Sequence, residues 1–122
     1  MTLKNRCVAG LITGVVLHFF IFHPYLPYSV RESRVPGFWT LVVVFAVAGF
    51  LLNLGNTERR GLICACVVGA MFAGNMVIIA MDWMKDPTTH NLFPFEFIMI
   101  ALAFAPLGAG TVASLYASRL RA

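Results

Sequence analysis

Four apolar stretches run through this chain, and no Asp, Glu, Lys or Arg falls in the middle of any of them. A charge at mid-bilayer is costly, so long uncharged apolar runs are what a membrane-crossing helix requires. The stretches cover about residues 7–24, 38–54, 61–83 and 94–118. The 122 residues are 60% hydrophobic and only 11% charged. A soluble domain carries about 25% charged residues, and a soluble chain this short has too little interior to hide so much apolar surface. The sequence therefore predicts an all-α integral membrane protein. It forms a single domain over residues 1–122, with four transmembrane helices in an up-down bundle.

The first stretch opens like a signal peptide, with Lys4 and Arg6 ahead of an apolar run from Cys7. Its end reads Leu17-His18-Phe19-Phe20-Ile21-Phe22-His23-Pro24, bulky where a cleavage site needs small residues, so it is expected to stay as an anchor. Gly10 and Gly14 form a G-x-x-x-G pair that lets another helix approach closely. In the second stretch, Leu41-Val42-Val43-Val44-Phe45 is apolar all round, as a lipid-facing helix would be. Asn53, Gly55 and Asn56 mark its end. The short turn with Glu58, Arg59 and Arg60 makes the second and third helices antiparallel neighbours.

The third stretch has a small-residue face at Gly69 and Ala73, with an offset pair Ala70 and Gly74. In the fourth, Ala101, Ala105, Ala109, Ala113 and Ala117 recur every four residues and so share one helix face. Pro106 lies within it and predicts a kink. The first, third and fourth helices are expected to pack through these small residues, leaving the second more exposed to lipid.

The positive charges set the expected orientation. Lys4, Arg6, Arg59, Arg60, Arg119 and Arg121 fall on one side, against Arg31, Arg34 and Lys85 on the other. The positive-inside rule then makes both termini cytoplasmic. Trp39, Trp83, Tyr25 and Tyr28 fall at the outer interface. This topology suits a bacterial inner membrane. The net charge of +4 is scattered over segment ends, with no basic run and no Gly-rich phosphate loop, which argues against nucleic acid as a partner.

Polar chemistry concentrates around Asp82–Glu96, which holds three of the five acidic residues and one of the three histidines. Under the expected topology His18, His23, Asn75, Asp82, Asp86, His90 and Glu96 share the outer side. Of these, His18, Asn75, Asp82, His90 and Glu96 are the candidate polar site. Imidazole and carboxylate together can ligate a divalent metal or relay protons. The plainer reading is a structural loop, in which Glu96 favours the first turn of its helix through the dipole and its unpaired amides. No two histidines have the i, i+4 spacing of a helix-borne metal site. His18 and Asn75 lie inside apolar helices, where a polar group calls for a partner, and an interhelical hydrogen bond is the expected account.

Cys7, Cys64 and Cys66 all fall at the cytoplasmic end, where free thiols are expected. Cys64 and Cys66 are two apart on a helix and point in nearly opposite directions, so they form no ligand pair. No nucleophile with a nearby base is visible, and no enzyme, metal or cofactor is expected. The function expected is an accessory or structural subunit of a membrane complex, its partners being lipid, other membrane subunits or a second copy. One alternative is a small oligomeric channel or transporter for a neutral or weakly polar solute, lined by Thr13, Thr40, Asn53, Asn75 and Ser114. The other is a metal-, haem- or quinone-binding membrane protein that uses the outer His/Asp/Glu set.

Overall fold

A computed structural model describes residues 1–85 and 93–122. Every regular element among them is helical. Helix α1 spans Leu3–Phe22. Thr2 caps its start, its hydroxyl accepting from the Asn5 amide at 3.2 Å. Its end is set by His23, in the left-handed region at φ 48°, with Pro24 next in the chain. A short helix α2 (Tyr28–Arg31) and one turn of 3-10 helix (Glu32–Arg34) form the connection. Helix α3 spans Phe38–Asn53 and α4 spans Arg60–Lys85.

The last apolar stretch is broken in two, α5 (Phe93–Leu102) and α6 (Phe104–Arg121). Pro106 explains the break. Its ring presses on the carbonyl one turn earlier and it offers no N–H to Leu102. The chain tightens there, with Ala103 donating to Ile100 rather than one residue further back, and the ladder resumes when Leu107 donates to Ala103.

Three helical segments are long and apolar enough to cross a membrane: Leu3–Phe22, Arg60–Lys85 and Phe95–Arg121. The expected fourth span falls short. The 16 residues of α3 extend about 24 Å at a rise of 1.5 Å per residue, against a hydrocarbon core of about 30 Å. The cause is local. Leu54 leaves helical geometry, and Gly55 follows at a left-handed φ of 70°.

Helix direction alternates along the chain, yet the tightest contacts join helices of the same direction. On α1 and α4, Gly10 lies against Ile63 and Cys66, Gly14 against Val67 and Ala70, and His18 against Gly74, so residue numbers climb together. On α3 and α6, Gly49 lies against Leu107, and Asn53 bonds Thr111 further along both helices. The protein is thus two parallel pairs, α1 with α4 and α3 with α6. The core cluster between them draws on Phe22, Phe45, Val67, Met71, Ile100 and Leu107.

This arrangement corrects two expectations. The second apolar stretch is not left aside for lipid, because α3 is bound to α6 at backbone-contact distance. A Cβ on Gly110 would stand 1.8 Å from the Ala46 carbonyl oxygen, and one on Gly49 would stand 2.1 Å from that of Leu107. The short turn between α3 and α4 also does not make them the principal neighbours. Glycine-allowed approach decides the partner, and the best glycine surfaces belong to helices that are not consecutive.

A methyl group at the α3–α6 crossing has no room. We expect Gly110→Ala to destabilise the protein by at least about 1–3 kcal/mol, the cost typical of overpacking. Gly69→Ala, with nothing within 4 Å of the added Cβ, should stay within about 0.5 kcal/mol of the parent. Denaturant unfolding of both variants in detergent checks the contrast.

Candidate functional site

Among the described residues, those singled out from sequence do not all gather in one place. His18 and Asn75 meet inside the α1–α4 pair, both almost fully buried at 4% and 0% exposure. The His18 ring lies on Gly74, where a Cβ would stand 3.0 Å from Nδ1. Its other face neighbour is Phe22, at a ring separation of 4.9 Å. His18 Nε2 and both amide atoms of Asn75, the residue after Gly74, make no hydrogen bond.

Asp82 lies elsewhere, near the C-terminal end of α4. It forms an ion pair with Arg31 of α2, both side chains being largely buried. The pair ties the connection after α1 back onto α4. His23 ties down the same connection from its other end: Nε2 lies 3.0 Å from the Arg34 carbonyl and Nδ1 3.0 Å from the Tyr25 hydroxyl. A carbonyl only accepts, so Nε2 donates to the Arg34 carbonyl. Glu96 is half-buried in the first turn of α5. His90 and Asp86 lie outside the described residues. Among the described residues, no three His, Cys, Asp or Glu side chains come together as a metal site would need.

A second polar centre was not visible in the sequence as a cluster. At the opposite end of the bundle, the buried Asn53 donates to the Gly49 carbonyl and to Thr111 Oγ1, both at 3.1 Å. Its own oxygen accepts from Asn56 Nδ2 at 3.2 Å. Thr111 donates to the Leu107 carbonyl at 2.8 Å and touches Cys64 Sγ at 3.4 Å. Arg6, counted from sequence only as a topology charge, caps α3. Its two terminal nitrogens donate to Leu52 O at 2.7 Å and Leu54 O at 3.1 Å. A cation there also suits the negative end of the helix dipole. The only hint in the sequence was two asparagines closing an apolar run.

The residues proposed to line a solute path are likewise dispersed. Thr13 returns its hydroxyl to the Ala9 carbonyl at 2.7 Å, and Ser114 returns its own to the Thr111 carbonyl at 2.6 Å. Thr40 is exposed on α3, while Asn53 and Asn75 sit in different helix pairs.

The small-residue faces divide sharply. Gly10 and Gly14 are buried at the α1–α4 crossing. On α4 the offset pair Ala70 and Gly74 faces α1, while Gly69 and Ala73 are exposed. On α5 and α6, Ala101, Ala105, Ala109 and Ala113 are exposed and Ala117 is half-buried. The packed face of α6 is Leu107, Gly110, Thr111 and Ser114. From Ala101 to Ala113 the alanine stripe thus lies off the packed face of the described helices.

No known family model matches this chain, and no characterised protein or solved structure shows significant similarity to it.

The two buried asparagines should respond oppositely to removal of their amides. Asn53→Leu removes the hydrogen bonds that tie Asn53 to Thr111, Asn56 and the Gly49 carbonyl and should cost about 1–3 kcal/mol. Asn75→Leu removes two unpaired polar atoms and should be neutral or stabilising. Thermal unfolding in detergent measures both. A loss at Asn75 as large as at Asn53 would show that its amide has a partner.

Proposed function

We propose that this protein is a small multi-pass membrane protein that serves as an accessory or structural subunit, docking another transmembrane helix on the outer face of α5 and α6. The observation that carries the reading is the alanine stripe at 101, 105, 109 and 113, smooth, exposed and off the chain's own packed face. Between lipid-embedded helices, association comes from close van der Waals contact, and small residues in register permit it. The apolar length of three helical segments supports insertion in a bilayer. The basic residues at both termini and in the turn between α3 and α4 support cytoplasmic ends. A bacterial inner membrane is the setting we propose. The polar centres fit this role too, because they lie within helix–helix contacts and the chain-end caps.

The exposure of Ala109 makes the test clean. Ala109→Leu adds bulk on the outside, so the variant should fold as the parent does while losing its partner. Gentle extraction from native membranes, with the mass of the intact assembly as readout, should show the parent in a fixed-ratio complex and the variant as a free chain. Unchanged association in the variant would count against the stripe as the docking face. A parent that runs alone as a defined homo-oligomer would replace the foreign partner with a second copy.

A further inference from the structure

Two helices, α1 and α3, set the same short apolar height. The charge nearest the apolar part of α1 is Arg6, so the run that can lie in hydrocarbon is Cys7–Phe22. Without its first four residues, the 20-residue α1 matches the 16 residues of α3. Each run is about 24 Å tall at 1.5 Å per residue. Polar groups are clamped at both ends of this band. At one end the Arg6 guanidinium donates to the Leu52 carbonyl at 2.7 Å and the Leu54 carbonyl at 3.1 Å, which holds it level with the end of α3. Arg60 donates to the Asn56 carbonyl at 2.5 Å just beyond. At the other end the His23 ring is bonded to the Arg34 carbonyl and the Tyr25 hydroxyl, and α3 begins with the exposed rings of Phe38 and Trp39. A basic side chain near a helix end usually snorkels outward and so lengthens the span. Arg6 is turned inward onto backbone and does not. Tilting cannot compensate either, because a tilted helix reaches less far across the bilayer.

We propose that the face made by α1 and α3 is covered by phospholipid with short acyl chains, in a hydrocarbon layer about 24 Å thick where an average bilayer has about 30 Å. The proposal rests on the membrane-spanning reading above, and not on the partner helix at the alanine stripe. Between the clamped ends, α1 exposes Ile12, Val15 and Phe20, and α3 exposes Val43, Val47 and Leu51. Longer chains around these residues must compress or bring the polar ends into hydrocarbon. Charge complementarity marks the edge of the layer. Lys4 and Arg59 are exposed at the Arg6 end, where Glu58 is the one acidic side chain among the described residues. Phosphate headgroups seated at that level meet these cations. The other face of the bundle is taller. On α4 the apolar run from Gly61 to Met81 reaches about 30 Å, so the short annulus belongs to the α1/α3 side.

The test reads lipid contact with one tryptophan at a time. In a Trp39→Phe, Trp83→Phe background, Val47→Trp reports on α3 and Val77→Trp on α4, both positions being exposed. The full chain is reconstituted in vesicles of mixed phosphatidylcholine and phosphatidylglycerol. The chains are dimyristoleoyl, dioleoyl or dierucoyl, each competing with dibrominated dioleoyl lipid as quencher. Relief of quenching gives the relative affinity of each lipid. At Val47→Trp, dimyristoleoyl lipid should be preferred over dioleoyl by at least about twofold, with dierucoyl lipid the weakest. Val77→Trp should show no preference for dimyristoleoyl lipid. Equal affinities at Val47→Trp, or a preference there for the longer chains, would overturn the proposal and leave the membrane reading standing. The same short-chain preference at Val77→Trp would overturn the assignment to the α1/α3 face. Quenching of neither reporter would overturn the membrane reading and this proposal with it, because a chain outside the bilayer meets no acyl chains.

Discussion

Backbone-to-backbone approach at glycine is the interaction on which the rest of this structure depends. Within a bilayer, apolar side chains gain nothing by leaving lipid for a neighbouring helix, so close fit and polar contacts must hold the helices together. Gly14 lets α4 come so near that a Cβ would stand 2.3 Å from the Val67 carbonyl oxygen. Gly49 and Gly110 interlock α3 with α6 from both sides. These crossings choose the partners. They place same-direction helices together and leave the chain's hairpin neighbours with the lesser contacts.

Each glycine pair carries its own polar pin, and the two differ. At the Arg6 end of the bundle, Asn53 and Thr111 satisfy each other and the carbonyls around them, so the α3–α6 pair is fixed in register as well as in distance. In the α1–α4 pair, Gly74 gives way to the His18 ring, and Asn75 lies beside it without a normal bond. The connection after α1 is then drawn down by Arg31 on Asp82. That ion pair uses Asp82, which the sequence offered as a member of the candidate polar site.

Much of the architecture was legible, because apolar length and the absence of charge act locally. The helical class, the segment positions and the break induced by Pro106 all follow from properties of short windows. What the sequence hid was rotation and distance. Gly69 and Ala73 are as small as Ala70 and Gly74, and one residue of offset, about 100° of helix rotation, decides which pair meets α1. The same offset sets the alanine stripe of α6 outside and Gly110 inside. The second stretch read as uniformly lipid-facing because a single glycine, Gly49, is a weak signal among so many valines and leucines. The tie between Arg31 and Asp82 joins residues far apart in the chain, where no periodicity reaches. His90 lies outside the described residues, so its place relative to His18 and Asp82 rests on sequence alone.

The central claim is that α3 and α6 are held as a parallel pair by mutual glycine–carbonyl contact. Solid-state NMR of the protein in lipid bilayers, with carbon labels on glycine and on alanine and leucine carbonyls, tests it most directly. The account predicts short-range correlations from the Gly110 α-carbon to the Ala46 carbonyl and from the Gly49 α-carbon to the Leu107 carbonyl. Absence of both, with glycine correlations instead between α3 and α4 or between α1 and α3, would contradict it and restore a bundle built from consecutive hairpins.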